Sequence, residues 1–180
     1  MEDKIIAQTK EWIQSVVIGC NFCPFAAKAV LRDSIRYVVV NEPDLELNLH
    51  TFMDEIHFLD ASETIETTFI IFADHYADFE EYLHLVSLAE DLAAEHEYDG
   101  VYQIASFHPE YCFADAKADD PANFTNRSIF PMIHLLREDS ITAAIEHYPD
   151  AEGIPDRNIA FSREKGLQYM KQLRAACLAV

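Results

Sequence analysis

The sequence predicts an α/β fold: one domain over residues 1–180, with a small, mostly parallel sheet of about three strands, flanking helices, and helical N- and C-terminal segments. Two observations predict it. First, three β-rich runs, Arg36–Val40, Thr67–Phe72 and Val101–Phe107, alternate with amphipathic stretches of helical length, the pattern of β-α-β units. Second, the 180 residues are 50% hydrophobic and include 12 Phe and 8 Tyr. That length fits one domain, and that composition builds a core rather than a disordered chain.

The elements follow in order. Ile5, Ile6, Trp12, Ile13, Val16 and Val17 recur at helical spacing, so residues 3–18 form an amphipathic helix. Gly19 ends it, and Pro24 suits the first turn of a short helix over 24–31. The first strand comes next. Leu45, Leu49, Phe52, Met53, Ile56 and Leu59 mark a helix before the second strand, and Phe79, Tyr82, Leu83, Val86 and Leu92 mark another before the third. From Pro109 to Pro131 the chain holds three prolines and many polar groups, an ordered loop of the length that is often functional. Residues 131–148 read as one or two helical pieces. Leu167, Met170, Leu173 and Cys177 mark a final helix.

Composition excludes several functions. The formal net charge of −19 repels phosphate backbones and anionic headgroups, so neither nucleic acid nor a membrane surface is an expected partner. With 4 Gly, the chain has no glycine-rich phosphate loop. No apolar stretch approaches the ~20 residues of a membrane span, and the N-terminus is no secretory signal. A soluble, cytoplasmic protein is expected, with its four Cys as thiols or ligands rather than disulfides.

Three groups of residues carry candidate chemistry. Cys23 precedes Pro24 at a helix start, where partial positive charge lowers a thiol pKa below ~8.5 and prepares a nucleophile. The alternative is a small packed cysteine. Cys20, Cys23, His108 and Cys112 form a C-x-x-C and an H-x-x-x-C pair that together would make a Cys₃His metal site. His108 ends the third strand, where ligands collect in open parallel sheets, and Pro109 holds it extended. It would serve as acid, base or ligand, or merely anchor the loop.

The segment from Asp120 to Ser128 is dense in donors: Asn123, Thr125, Asn126 and Arg127. His134 and Arg137 follow, three apart on one face of the expected helix. Arg127, His134 and Arg137 form a local basic cluster in an acidic chain, suited to a carboxylate or phosphate. The competing reading pairs Arg127 with Asp120, and Arg137 with nearby carboxylates, to tie down the loop.

The strings Val17–Ala26, Ser106–Tyr111, Asn123–Ser128, Pro131–Glu138 and Ile154–Ile159 together resemble the bacterial Domain of Unknown Function 1415 family. The resemblance implies no reaction. It implies a cysteine at the position of Cys23 but usually not at those of Cys20 and Cys112, which favours Cys23 acting without a metal. His108, Asn126, Arg127, His134 and Arg137 match the family's polar positions. The expected activity is a thiol- and histidine-dependent enzyme: Cys23 as nucleophile, His108 or His134 as base, and Asn123, Thr125, Asn126, Arg127 and Arg137 holding a small anionic or carbonyl-bearing substrate. The alternatives are a non-catalytic binder of a small anion or metabolite and a Cys/His metal protein.

Overall fold

A computed structural model describes residues 1–180. Its frame is a four-stranded sheet built from β1 (Ile35–Val39), β2 (Thr67–Ile71), β3 (Tyr102–Phe107) and β4 (Met132–Arg137). The spatial order is β1-β2-β4-β3. β1 and β2 are parallel, while β4 runs antiparallel to both β2 and β3. The sheet is therefore mixed rather than mostly parallel. Residues 132–137, expected to be helical, are an inner strand. Met-Ile-His-Leu-Leu-Arg satisfies either period over so short a span, and a continuous apolar run suits a strand buried on both faces. Met132, Ile133 and Leu135 are all buried.

The helices α3 (Leu45–Ala61) and α4 (Phe79–Glu95) connect the first three strands. Asp44 and Asp78 cap them, each side chain accepting from the backbone N–H three residues on. Their apolar stripes cover one sheet face, with Phe52, Ile56, Leu59, Tyr82 and Leu85 packing against Ile70, Ile133 and Leu135. The opposite face is covered by α1 (Glu2–Trp12) and by a π-helical continuation, Ile13–Ile18. Trp12, Ile13 and Val16 pack there on Phe69, Ile71 and Met132. Gly19 ends this helix with right-handed torsions, φ −60° and ψ −35°. Glycine serves here by lacking a Cβ, which would lie 2.3 Å from the Ser15 carbonyl oxygen.

The C-terminal half adds α5 (Glu138–Glu146), α6 (Ile154–Lys165) and α7 (Leu167–Ala176), after the short α2 (Ala26–Leu31) near the start of the chain. The sequence pattern did not mark α6. Its buried positions are Asn158 and Ser162, one helical turn apart, and beside them only Phe161 packs on the core, so its inward face is largely polar. Asn158 Nδ2 donates to the Phe22 carbonyl at 2.8 Å, and Arg157 Nη2 donates to that of Asn21 at 2.6 Å. These two bonds clamp the Cys20–Cys23 loop. No helix is long and apolar enough to cross a membrane.

Candidate functional site: a loop tied from within and an unpaired arginine

The segment from His108 to Pro131 joins β3 to β4, and His108, Asn123, Arg127 and Ser128 turn their polar side chains inward. His108 is fully buried. Its Nε2–H donates to the Tyr76 carbonyl at 2.9 Å, and its Nδ1 accepts from the Glu110 N–H at 3.0 Å. Both ring nitrogens are thereby committed, which fixes the neutral tautomer. Burial holds its pKa below the usual histidine value. The ring lies against Phe79 and Tyr82 of α4. Tyr82 in turn accepts from the Phe107 N–H and donates to the Met132 carbonyl, joining the ends of β3 and β4.

The donor-rich stretch behaves alike. Asn123, fully buried, accepts from the Phe113 N–H and donates to the Lys117 carbonyl. Thr125 donates to the Ala122 carbonyl, and Asn126 Nδ2 to that of Ser106. Arg127, also buried, donates from Nε to the Tyr111 carbonyl at 2.8 Å and from Nη2 to the Ala118 carbonyl at 2.9 Å. It does not pair with Asp120. That carboxylate caps the turn Pro121–Thr125 through the Ala122 N–H and forms an ion pair with Arg163 of α6 at 2.7 Å. Most of what the sequence offered as ligand donors is spent holding the loop.

His134 and Arg137 are separated by the strand geometry. Side chains alternate faces along β4, so His134 sits on the α1 side and Arg137 on the α3 side. Arg137 donates to the carbonyls of Leu59, Ser62 and Ile65, closing the C-terminal end of α3 instead of joining a basic cluster or pairing with carboxylates. His134 stacks on Phe69 at 3.8 Å, in a cross-strand row that begins with Tyr37. Its Nε2 bonds Thr67 Oγ1 at 2.5 Å. The Thr67 hydroxyl also bonds the Leu135 carbonyl and has one proton to give, so His134 is the donor. Burial pushes the His134 pKa down to about 3.

The four cysteines are unpaired thiols. No three His, Cys, Asp or Glu side chains converge on a common point, so Cys20, Cys23, His108 and Cys112 do not assemble a metal centre. Cys112 instead contacts the Ala116 carbonyl and Asn123. Cys23 is half-buried, and burial raises its pKa. The backbone N–H groups of Phe25 and Ala26 oppose that rise without overcoming it. The sequence-based expectation of a lowered pKa weighed the helix start but not the burial, which here wins. Little alkylation of Cys23 by iodoacetamide is therefore expected at about pH 7 in the folded chain, with rapid labelling once it is unfolded. Mass spectrometry before and after denaturant measures this. Fast labelling of the native protein would contradict it.

Beside this loop, one half-buried guanidinium is only partly consumed by the fold. Arg174, on α7, is half-buried and donates from Nη1 to the Pro109 carbonyl at 2.5 Å. Its Nε and Nη2 have no protein partner. It lies over the Phe124 ring at 5.3 Å, and Arg127 lies over the same ring at 5.1 Å. Neither arginine belongs to an ion pair; those pairs are Arg36–Glu55 and Arg163–Asp120. Burial lowers the Arg174 pKa, the Arg127 charge lowers it further, and the nearby charge of Glu110 offsets part of this. Sequence reasoning passed over Arg174. The available signal was its place inside the apolar stripe Met170, Leu173, Cys177, where a charged residue is out of pattern.

No curated protein and no solved structure matches the chain. One family model does match, described as a protein of unknown function (DUF1415), and it spans residues 4–172. The chain accordingly belongs to the DUF1415 family of proteins of unknown function.

Proposed function

We propose that the protein binds a small multivalent anion, a phosphate or a polycarboxylate, where the His108–Pro131 loop meets α7. One observation carries the reading: two neighbouring guanidiniums share the Phe124 ring, neither has a carboxylate partner, and Arg174 keeps two donor groups free. Like charges so close repel, and an anion at Arg174 relieves that repulsion with charge-assisted hydrogen bonds. Arg127 is preorganised by the loop, and Arg174 supplies the open donors.

Cysteine–histidine catalysis has less support. Neither His108 nor His134 is hydrogen-bonded to Cys23. One ring is committed at both nitrogens, and the other resists protonation. A general base works best with a pKa near the operating pH. We assign the protein to the cytoplasm, where unpaired thiols persist.

Inorganic phosphate, pyrophosphate and citrate are the probes. A ligand at about 100 times its Kd stabilises by ~2.7 kcal/mol, which raises Tm by roughly 5–10 °C in a chain of this size. At least one probe should do so in a saturable manner by calorimetry. Arg174→Gln should abolish the shift, and Arg174→Lys should weaken it, because the planar fork is lost. Glu110→Gln should strengthen it by removing a competing carboxylate. No response from any probe, or an unchanged response in Arg174→Gln, would refute the proposal.

A further inference from the structure

A second feature lies along α1, shares no residue with the loop or α7, and is independent of the anion reading. Between α1, α2 and β1 runs an open groove with a volume of about 400 Å³, within the range of small-molecule sites. Its walls include the small or apolar side chains Ala7, Ala29 and Val30. Its polar groups are Lys10, Glu11, Gln14, Asp33 and Tyr37, and of its two carboxylates Glu11 already accepts from the Ser15 hydroxyl. Lys10 and Asp33 are of opposite charge yet not spent on one another or, for Lys10, on Glu11, since the ion pairs of the protein lie elsewhere. The Lys10 ammonium stands over the Tyr37 ring, 5.2 Å from its centroid, a cation–π position that leaves its N–H donors for a ligand. The Tyr37 hydroxyl has no hydrogen-bond partner in the protein, and the Tyr37 ring is held rigid by its parallel stack on Phe69 at 6.1 Å.

The backbone around the groove is also irregular. Asp33 adopts φ 51°, left-handed for a residue with a Cβ. Gln14, another lining residue, belongs to the π-helical turn. Strained torsions and π turns both cluster at functional sites.

We propose that this groove binds a small zwitterion, an α-amino acid with an apolar side chain. Its carboxylate meets Lys10 and the Tyr37 hydroxyl, its ammonium meets Asp33, and its side chain lies on Ala7, Ala29 and Val30. A pure anion is repelled by Asp33 and Glu11, and a pure cation leaves Lys10 and the Tyr37 hydroxyl without an acceptor, so both charges of the ligand are read. An apolar side chain removes water from the wall of the groove.

Calorimetric titration of the full chain tests this, with L-leucine and L-phenylalanine as zwitterions, leucinamide as the cation-only analogue and 4-methylpentanoate as the anion-only analogue. At least one amino acid should bind saturably, with both single-charge analogues about ten-fold weaker or worse. Lys10→Gln and Asp33→Asn should each weaken binding by a similar factor. Both positions are exposed, and Asn tolerates left-handed torsions, so the fold is retained; circular dichroism checks it. Arg174→Gln should leave amino-acid binding unchanged, which separates this groove from the anion site. Absence of saturable binding by both amino acids overturns the proposal. Equal binding of L-leucine and either single-charge analogue overturns it too, as do full-affinity Lys10→Gln and Asp33→Asn variants.

Discussion

Arg127→Ala should lower stability by about 3 kcal/mol. The substitution removes a buried side chain that makes two charge-assisted bonds, to the carbonyls of Tyr111 and Ala118, each worth ~1.5–3 kcal/mol at most, and it takes the guanidinium from the Phe124 ring. For a chain of this length that corresponds to a Tm lower by roughly 6–12 °C. Arg174→Gln removes a single bond, to the Pro109 carbonyl, and should cost about 1 kcal/mol. The pair separates two roles that look alike in sequence. Arg127 orders the loop and contributes its charge as a consequence, whereas Arg174 is the residue with donors to spare. Equal losses in the two variants, measured by urea denaturation, would contradict this division.

Acid should unfold the protein through His134 before most carboxylates titrate. A histidine whose folded pKa lies at about 3 favours the neutral form when folded, while in the unfolded chain it takes up a proton near ~6.5. Its contribution is therefore complete above about pH 6.5 and is lost as pH falls from there towards about 3. At ~1.4 kcal/mol per pH unit, the loss by about pH 4 amounts to roughly 2–3 kcal/mol, allowing for the part of the residue that water still reaches. His108, also shifted downward by burial, adds in the same direction. His134→Phe keeps a ring against Phe69 and cannot titrate. The drop in unfolding free energy between about pH 7 and pH 4 should shrink in that variant by a similar 2–3 kcal/mol. A drop identical to that of the parent would place the acid sensitivity elsewhere.

Much of the fold is legible in the sequence, and the failures have physical causes. The first three strands show as short β-branched and apolar runs, and the helices between them through apolar stripes of period 3.6. β4 does not show, because Met-Ile-His-Leu-Leu-Arg fits a helical and a strand period equally over so short a span. α6 does not show either, because Asn158 and Ser162 face inward and its stripe is largely polar. Of the site, the dense polar segment was legible as important but not as self-satisfied. Whether Asn123 faces a ligand or the Lys117 carbonyl depends on the path of the loop, which local sequence does not specify. Cys23 was legible as a residue at a helix start, yet its burial comes from elements remote in the chain, and burial decides its pKa.

The assignment of Arg174 as the open donor is tested most directly by the Nε–H resonances of the arginines in ¹⁵N–¹H spectra during titration with pyrophosphate, phosphate and citrate. The Arg174 signal should move and saturate with at least one of these anions, while that of Arg127, fixed on the Tyr111 carbonyl, holds nearly still. A stationary Arg174 resonance through all three titrations would contradict the account.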